Sequence, residues 1–236
     1  MEWRRKTNKA GSRELLLVLC FALASTQAFA AGVEVDGATG TSLDSAPNGV
    51  PIVNIARPNA GGLSHNTYRK FSVDPSGLIL NNANQAVINT QLSGQILGNP
   101  NLGVPARVIL NEVTSTSRSY LNGYTEVAGQ AADVVIANPN GISVNGAGFI
   151  NVPRVTLTTG LPEIDEFGNL GGFDVRGGDI AIGGDGLNTQ LQDFTSIYTH
   201  FLQLNAKLHA RDLDVALGVN QVDYPGRKIA DRKSVV

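Results

Sequence analysis

Short apolar or alternating segments recur along the chain, and turn-forming residues separate them. Segments a few residues long, bounded by asparagine and glycine, are typical of β-strands. No stretch as far as Gly186 keeps a helical period with capping residues at its ends, so the pattern predicts an all-β protein. The segments that we interpret as strands are Gly49–Ile55, Leu78–Leu80, Ala86–Ile88, Arg107–Leu110, Val134–Ile136, Ile142–Val144, Phe149–Val152 and Arg154–Leu157.

One segment near the C-terminus allows two interpretations. In Leu187–Leu208 several apolar residues lie three or four positions apart, as on one face of a helix. Polar residues such as Thr195 and Thr199 interrupt this face, and the last part, Phe201–Leu208, alternates like a strand. We therefore predict strands here as well.

The strands are short, and their spacing does not follow the rhythm of two-residue hairpins. Repeated strand–turn–strand units fit a parallel β-helix, in which each coil stacks on the previous one and asparagines form ladders at the corners. With about 20 to 25 residues per coil, residues 31–236 would form about eight coils. Because exact repetition is weak, periodicity alone leaves a β-sandwich as a comparable alternative.

The first thirty residues have the three parts of a secretory signal. Met1–Glu14 is basic, Leu15–Ala24 is apolar, and Ala28-Phe29-Ala30 is a small-x-small site. A transmembrane anchor is the alternative, but the apolar run is far shorter than the roughly 20 residues of a spanning helix. We therefore predict a signal peptide over residues 1–30, cleavage after Ala30, and export by the Sec machinery into the periplasm.

Removal of this signal changes the composition. The only methionine, tryptophan and cysteine lie within it, so residues 31–236 cannot form a disulfide. This is either chance or an adaptation to passing a further narrow pore in extended form. Residues 31–236 carry 13 Lys and Arg against 18 Asp and Glu, a net charge of −5 with His neutral. They contain no basic stripe, which argues against nucleic-acid binding.

Two similar turns stand out within the strand pattern. Asn138-Pro139-Asn140-Gly141 has residues that a β-turn favours at its first, second and fourth positions. It lies between the strand-like segments Asp133–Ala137 and Ile142–Val144, and Asn99-Pro100-Asn101-Leu102 is a near copy upstream. Neither turn offers a nucleophile, a titratable group or a soft metal ligand. Their role therefore depends on backbone shape and amide hydrogen bonds.

These turns belong to an ordered set of motifs that resembles a known family. Ser64–Asn82 (SHNTYRKFSVDPSGLILNN) resembles the SHNxYxxFxVxxxGxxLNN segment of two-partner secretion domains. The two turns match that family's NPNL and NPNGI motifs, and Leu202–Val222 resembles its closing segment, NAxLHA followed by GxN. The resemblance extends to about Tyr224, so residues 31–224 form the secretion domain and 225–236 a polar tail.

The resemblance implies a right-handed parallel β-helix with an N-terminal cap and short extra-helical strands. It also implies recognition in the periplasm by the POTRA domains of an Omp85-type (TpsB) outer-membrane transporter, followed by folding at the cell surface. In this family the domain begins a large adhesin, haemolysin or contact-dependent inhibition toxin that meets host or neighbouring cells. Carried over by position, the secretion motifs are Asn99, Pro100, Asn101, Leu102, Asn138, Pro139, Asn140, Gly141 and Ile142. The family-matching segment contributes Ser64, His65, Asn66, Asn81 and Asn82.

Other groupings of residues offer alternatives. Gly183–Asn188 approaches a calcium-binding GGxGxD repeat, but Asn188 replaces the final Asp and no second copy follows, so we predict no metal site. A β-helical polysaccharide lyase would need clustered carboxylates with a basic residue; the candidates are Asp174, Asp179 and Asp185 with Arg176.

The histidines do not support catalysis. His65, His200 and His209 are scattered along the chain, and none has a Ser or Cys at a spacing typical of a catalytic triad. We therefore predict no triad, no cofactor and no enzymatic activity. His65 and His209 fall inside the family motifs and are interpreted as structural polar groups.

A free-standing surface adhesin is the remaining alternative, although no cluster of aromatic residues marks a ligand site. The chain stops where the family's repeats should begin, so we expect a fragment, a truncated gene or a relic.

Overall fold

The computed structural model describes residues 32–224, 226 and 229–232. The predicted signal peptide, its cleavage site at Ala30 and most of the polar tail lie outside these residues. The described residues form strands and turns without a helix, and none of them belongs to a helix able to cross a bilayer. The strands are β1 (Val33–Val35), β2 (Ser42–Ser45), β3 (Pro51–Asn54), β4 (Leu63–Phe71), β5 (Leu78–Asn82), β6 (Val87–Thr90), β7 (Gly94–Leu97), β8 (Val108–Val113), β9 (Ser119–Leu121), β10 (Tyr124–Gly129), β11 (Asp133–Ala137), β12 (Ile142–Val144), β13 (Ala147–Ile150), β14 (Arg154–Thr158), β15 (Leu161–Ile164), β16 (Leu170–Val175), β17 (Asp179–Ile182), β18 (Leu187–Thr189), β19 (Phe194–Thr199), β20 (Phe201–Leu204), β21 (Leu208–Ala210), β22 (Leu213–Leu217), β23 (Asn220–Asp223) and β24 (Ile229–Arg232).

Three sheets form the faces of the solenoid that makes up the body of the molecule. Sheet A has the order β1-β4-β8-β11-β14-β19-β22, and sheet B has the order β2-β3-β5-β10-β13-β18-β21. Sheet C, of four strands, has the order β20-β17-β12-β9. All neighbours pair in parallel except β1 with β4 and β2 with β3, which are antiparallel. Successive strands of one sheet are thus contributed by successive coils, as in a β-helix.

This architecture confirms the predicted parallel β-helix and excludes the sandwich. Each of the eight predicted strand segments overlaps an observed strand, and Leu187–Leu208 forms β18 to β21 as predicted. The expected count of about eight coils is wrong, because sheets A and B each contain only six parallel strands among the described residues. Hairpins inserted between coils use the rest of the chain.

The apolar runs of sheet A are buried on both faces. In β11, Val134 and Ile136 point into the central core of the solenoid, while Val135 and Ala137 belong to a second cluster outside it. A four-stranded side sheet, β15-β16-β23-β24, covers this outer face with Phe173 and neighbouring apolar residues. A strand that packs on both faces reads as a continuous apolar run rather than an alternating one.

A second excursion is the hairpin β6–β7, which packs beside sheet B. Glu126 of β10, almost fully buried, accepts hydrogen bonds from the amides of Gln91 and Leu92 at 2.7 and 2.8 Å. These two amides lie at the tip of the hairpin. One carboxylate therefore fixes the hairpin to the coil.

The two ends of the solenoid differ. At the N-terminal end, antiparallel strands β1 and β2 cover the first coil. At the C-terminal end, Leu213, Val215 and Leu217 of β22 continue the register of β19, yet Leu217 is 53% exposed because no described strand follows. Among the described residues, strands therefore cover the N-terminal end of the core but not its C-terminal end.

Candidate functional site: the paired Asn-Pro-Asn turns

The second Asn-Pro-Asn turn connects β11 of sheet A to β12 of sheet C. The amide of Gly141 donates to the carbonyl of Asn138 at 3.0 Å, which closes the predicted β-turn. The side chain of Asn138 is fully buried; its Oδ1 accepts from the Asn140 amide, and its Nδ2 donates to Ser117 O and Ser119 Oγ, all at 2.9 Å. Asn138 therefore shapes its own turn and joins it to the preceding coil.

The first turn has the same construction. Leu102 N donates to Asn99 O at 3.2 Å, and Asn101 N donates to Asn99 Oδ1 at 2.9 Å. Asn99 Nδ2 donates to the carbonyls of Ile55 and Asn81, both at 2.9 Å, and the side chain is buried. In both turns the first asparagine thus satisfies two acceptors on neighbouring segments.

The remaining positions of the turns divide between core and surface. Ile142 is fully buried and Leu102 packs against the central core. Pro100 and Asn140 are exposed, and the Nδ2 of Asn140 donates to Ser115 O at 2.7 Å. Only the middle of each turn is therefore available to a partner.

Glycine is required at the fourth position of the second turn. Gly141 has a φ of +99°, which L side chains rarely adopt. An added Cβ would lie against the guanidinium of Arg118 and 2.9 Å from the carbonyl oxygen of Asp179. The turn thus approaches the next coil closely.

The segment from Ser64 to Asn66 lies in β4 and binds the N-terminal cap. Ser64 Oγ donates to Ala56 O at 2.7 Å. The Oδ1 of Asn66 accepts from Thr41 Oγ1 at 2.7 Å and from the Ala56 amide at 2.8 Å. His65 points outward, with its Nε2 2.7 Å from Glu112 Oε2. This motif therefore joins the cap to the first coil.

Asn81 and Asn82 form the corner at the end of β5. Asn81 Nδ2 donates to Asn54 Oδ1 at 2.8 Å, and the two residues are in register on adjacent coils. Asn82 donates to the carbonyls of Ala106 and Gln130, at 2.9 and 2.8 Å. At this corner, the predicted asparagine ladder therefore consists of one side-chain pair, Asn81 with Asn54. The side-chain amide of Asn82 binds backbone carbonyls instead.

The second turn is stabilised by an ion pair that no sequence motif indicates. Arg118, just before β9, donates to both oxygens of Asp179, at 2.9 and 2.7 Å, and also to Ser143 Oγ at 2.7 Å and Ile142 O at 3.1 Å. The hydrogen bonds from Arg118 lower the pKa of the Asp179 carboxyl. Three coils therefore meet at one guanidinium. Nothing in the sequence pairs residues so far apart.

The carboxylates considered for a lyase do not converge. Asp174 pairs with Arg176 and Asp179 with Arg118, whereas Asp185 lies in a turn where its amide donates to Asn145 Oδ1 at 2.9 Å. Within the described range, His, Cys, Asp and Glu form no group of three that could hold a metal. Each of the three carboxylates or its backbone therefore takes part in a separate local contact.

His209 does not fit the structural role interpreted for it. It lies in β21 on the last coil, where its side chain is exposed, and His200 is exposed as well. Only His65 of the three has a side-chain partner close enough for a hydrogen bond among those described.

The chain is similar to known secretion domains over most of its length. The model of the family described as the TPS secretion domain matches residues 31–236. The crystal structure of the filamentous hemagglutinin secretion domain superposes with a TM-score of 0.73 and 37% identity, covering 85% of this chain and 68% of that one.

Two curated relatives are far longer than this chain. The 16S rRNA endonuclease CdiA of Enterobacter cloacae is 49% identical over 221 residues, which is 91% of this chain and 7% of the relative. The tRNA nuclease CdiA of Yersinia mollaretii is 50% identical over 198 residues, 84% of this chain and 7% of the relative. The chain therefore belongs to the two-partner secretion (TPS) domain family of large CdiA-type and filamentous haemagglutinin-type exoproteins.

Proposed function

We propose that this domain starts the export of a large exoprotein by presenting a preformed β-helical coil, which its two Asn-Pro-Asn turns hold together, to an outer-membrane transporter. The observation that carries the proposal is that both turns are built alike. In each, a buried asparagine binds two acceptors on neighbouring segments, whereas Pro100 and Asn140 remain at the surface.

The proposed route has two steps. The signal peptide, residues 1–30, directs the chain through the Sec machinery, and the POTRA domains of an Omp85-type TpsB transporter then bind it in the periplasm. After this recognition the coil opens, and the exoprotein crosses the outer membrane unfolded and folds at the surface. A chain without cysteine after residue 30 suits this route, because no disulfide can lock it before passage.

A solenoid also suits folding at a pore exit. Each coil needs only the preceding coil as a template, so folding proceeds as the chain emerges. The antiparallel strands β1 and β2 cover one end and leave the other available, which gives growth a direction.

The nuclease activities that name the relatives are proposed to reside outside the segment they share with this chain. That segment is about 7% of each relative. In a full-length protein, the remaining part would act on a host or neighbouring cell, whereas the secretion domain itself would perform no catalysis.

Secretion assays on single variants test the proposal. Residues 1–236 are co-expressed with the outer-membrane partner of the Enterobacter cloacae relative, and the protein in the medium is measured. We expect Asn138→Leu to block secretion, because it breaks the joint between coils, and Asn140→Leu to be secreted. The control is Asn188→Leu, which replaces an exposed asparagine in β18, outside both turns.

Secretion of Asn138→Leu at the wild-type level would contradict the proposal. Loss of secretion by Asn140→Leu with unchanged thermal stability would instead place the transporter contact on the turn itself.

A further inference from the structure

A cavity of about 470 Å³ lies beside the first Asn-Pro-Asn turn. Its lining includes two arginines, Arg57 and Arg107, but no carboxylate. Pro58, Pro105 and Val104 supply apolar walls, and Val104 is 70% exposed. Two cations beside exposed apolar surface form an unusual feature in a domain with an excess of acidic residues.

Arg107 is held in position within this cavity. Its side chain lies over Gly62, where an added Cβ would be 2.6 Å from Nε, and its Nη2 donates to Gly61 O at 2.5 Å. Gly61 and Gly62 belong to a turn that is closed by the Gly62 amide, which donates to the carbonyl of Asn59 at 2.9 Å. Neutral groups therefore hold the guanidinium in place, and no carboxylate lines this cavity.

Arg57, in contrast, forms no ion pair or side-chain hydrogen bond with any residue that the structure describes. Its Nη2 lies near Gly103, on the loop that follows the first turn. An exposed arginine without a carboxylate, facing the same cavity as an ordered one, leaves donors for a bidentate oxyanion.

Two buried asparagines, one from the first secretion motif and one from the family-matching segment, position both walls. Asn99 binds the carbonyl of Ile55, two residues before Arg57, and begins the loop that leads to Arg107. Asn82 binds both the amide and the carbonyl of Ala106, at 2.7 and 2.9 Å, next to Arg107. Asn82 also binds the carbonyl of Gln130, another lining residue. These amides thus orient a cavity as well as stabilise turns.

We propose that this cavity binds an acidic segment of a protein partner, with a carboxylate between Arg57 and Arg107 and an apolar neighbour against Val104 and Pro105. Arginine pairs planar carboxylates through two parallel hydrogen bonds. A single acidic segment fits better than a phosphate-rich lipid surface, because residues 31–236 carry a net charge of −5 and an extended anionic surface would repel them. The proposal does not depend on the identity of the transporter.

Fluorescence anisotropy with two synthetic peptides tests it. One labelled peptide has the sequence Val-Glu-Val-Glu-Val, and the other has glutamine in place of glutamate. We expect residues 31–236 to bind the glutamate peptide and not the glutamine peptide. The double variant Arg57→Gln/Arg107→Gln should bind it at least about tenfold more weakly, since each bond to a charged group is lost.

The matched control is Arg69→Gln/Arg211→Gln, which removes the same charge from exposed ion pairs away from the cavity. An equal loss of binding in this control would overturn the proposal, as would equal binding of the glutamine peptide or no binding by the wild type. Binding to phosphatidylglycerol vesicles but not to the peptide would assign the cavity to lipid phosphate instead. Thermal unfolding confirms that each variant is folded.

Discussion

At the scale of single residues, the molecule depends on buried primary amides. Asn66, Asn82, Asn99, Asn111 and Asn138 all lie inside or between coils, and every buried side-chain nitrogen and oxygen among the described residues has a hydrogen-bond partner. A primary amide has two donors and an acceptor, so it satisfies a carbonyl of one coil and an amide of another. This explains why asparagine, which favours turns, also occurs in the core.

Loss of one such amide should be costly. We expect Asn138→Ala to lower the free energy of unfolding by about 2–4 kcal/mol, because it leaves Ser117 O and the Asn140 amide without a partner. Urea unfolding of residues 31–236 measures this. The control, Asn140→Ala, removes an exposed side chain and should cost less than about 1 kcal/mol. Similar losses in both variants would contradict the burial argument.

The ion pair between Arg118 and Asp179 should make stability depend on pH. Because the hydrogen bonds from Arg118 lower the pKa of Asp179 in the folded state, its contribution is present above the unfolded pKa of about 3.9 and is lost as the pH falls through the lower folded value. We therefore expect Asp179→Asn to be less stable than the wild type at neutral pH. The difference should shrink below about pH 4.

Urea unfolding at pH 7 and in steps down to pH 3 measures this difference. A deficit that stays constant over the whole range would show that the variant perturbs packing rather than the ion pair.

At the scale of strands and turns, the distance to the neighbouring coil limits which side chains a turn can accommodate. Motif turns lie against the next coil, as Gly141 does against Asp179 O. Other turns face solvent: Gly49 has a φ of +86°, and an added Cβ there would meet nothing within 4 Å. The same backbone conformation therefore occurs with and without a neighbouring coil.

A comparison of Gly49 with Gly141 isolates the energetic effect of a neighbouring coil that lies close to a turn. Gly49→Ala adds only backbone strain and should cost about 1–2 kcal/mol. Gly141→Ala adds a clash with a carbonyl and displaces Arg118, so we expect it to cost at least about 1 kcal/mol more. Thermal or urea unfolding of both variants provides the comparison. Equal costs would mean that the coils separate easily.

At the scale of the whole molecule, the solenoid is asymmetric. Antiparallel strands cover the first coil, and the side sheet covers the outer face of sheet A. On the last described coil, Ala216 of β22 is buried in the cluster beneath the side sheet, but no described strand covers the end of the coil, and its apolar residues Leu204 and Leu217 are exposed. Local stability in a repeat structure depends on nearest-neighbour contacts.

Hydrogen exchange should reveal this asymmetry. We expect amides of β11 and β14, which have a coil on both sides, to exchange most slowly, and those of β22 to exchange fastest among the strands of sheet A. Mass-spectrometric exchange on residues 31–236 gives the rates by segment. Uniform protection along sheet A would contradict the gradient.

The sequence alone determined much of this protein. Short apolar segments between asparagine and glycine turns specified strands such as β12 at their observed bounds, and the ordered motifs identified the family, because both are local patterns. The resemblance also selected the β-helix over the sandwich, which periodicity could not.

Other features followed only from the tertiary structure. The hairpins that reduce the coil count, the pairing of Arg118 with Asp179 and the cavity between Arg57 and Arg107 join residues distant in sequence. The division of each Asn-Pro-Asn turn into buried and exposed positions also depends on the neighbouring coil. The physical reason is the same in each case: in a solenoid, burial and pairing are decided by the coil above or below, and insertions between coils make that neighbour's position in the sequence irregular.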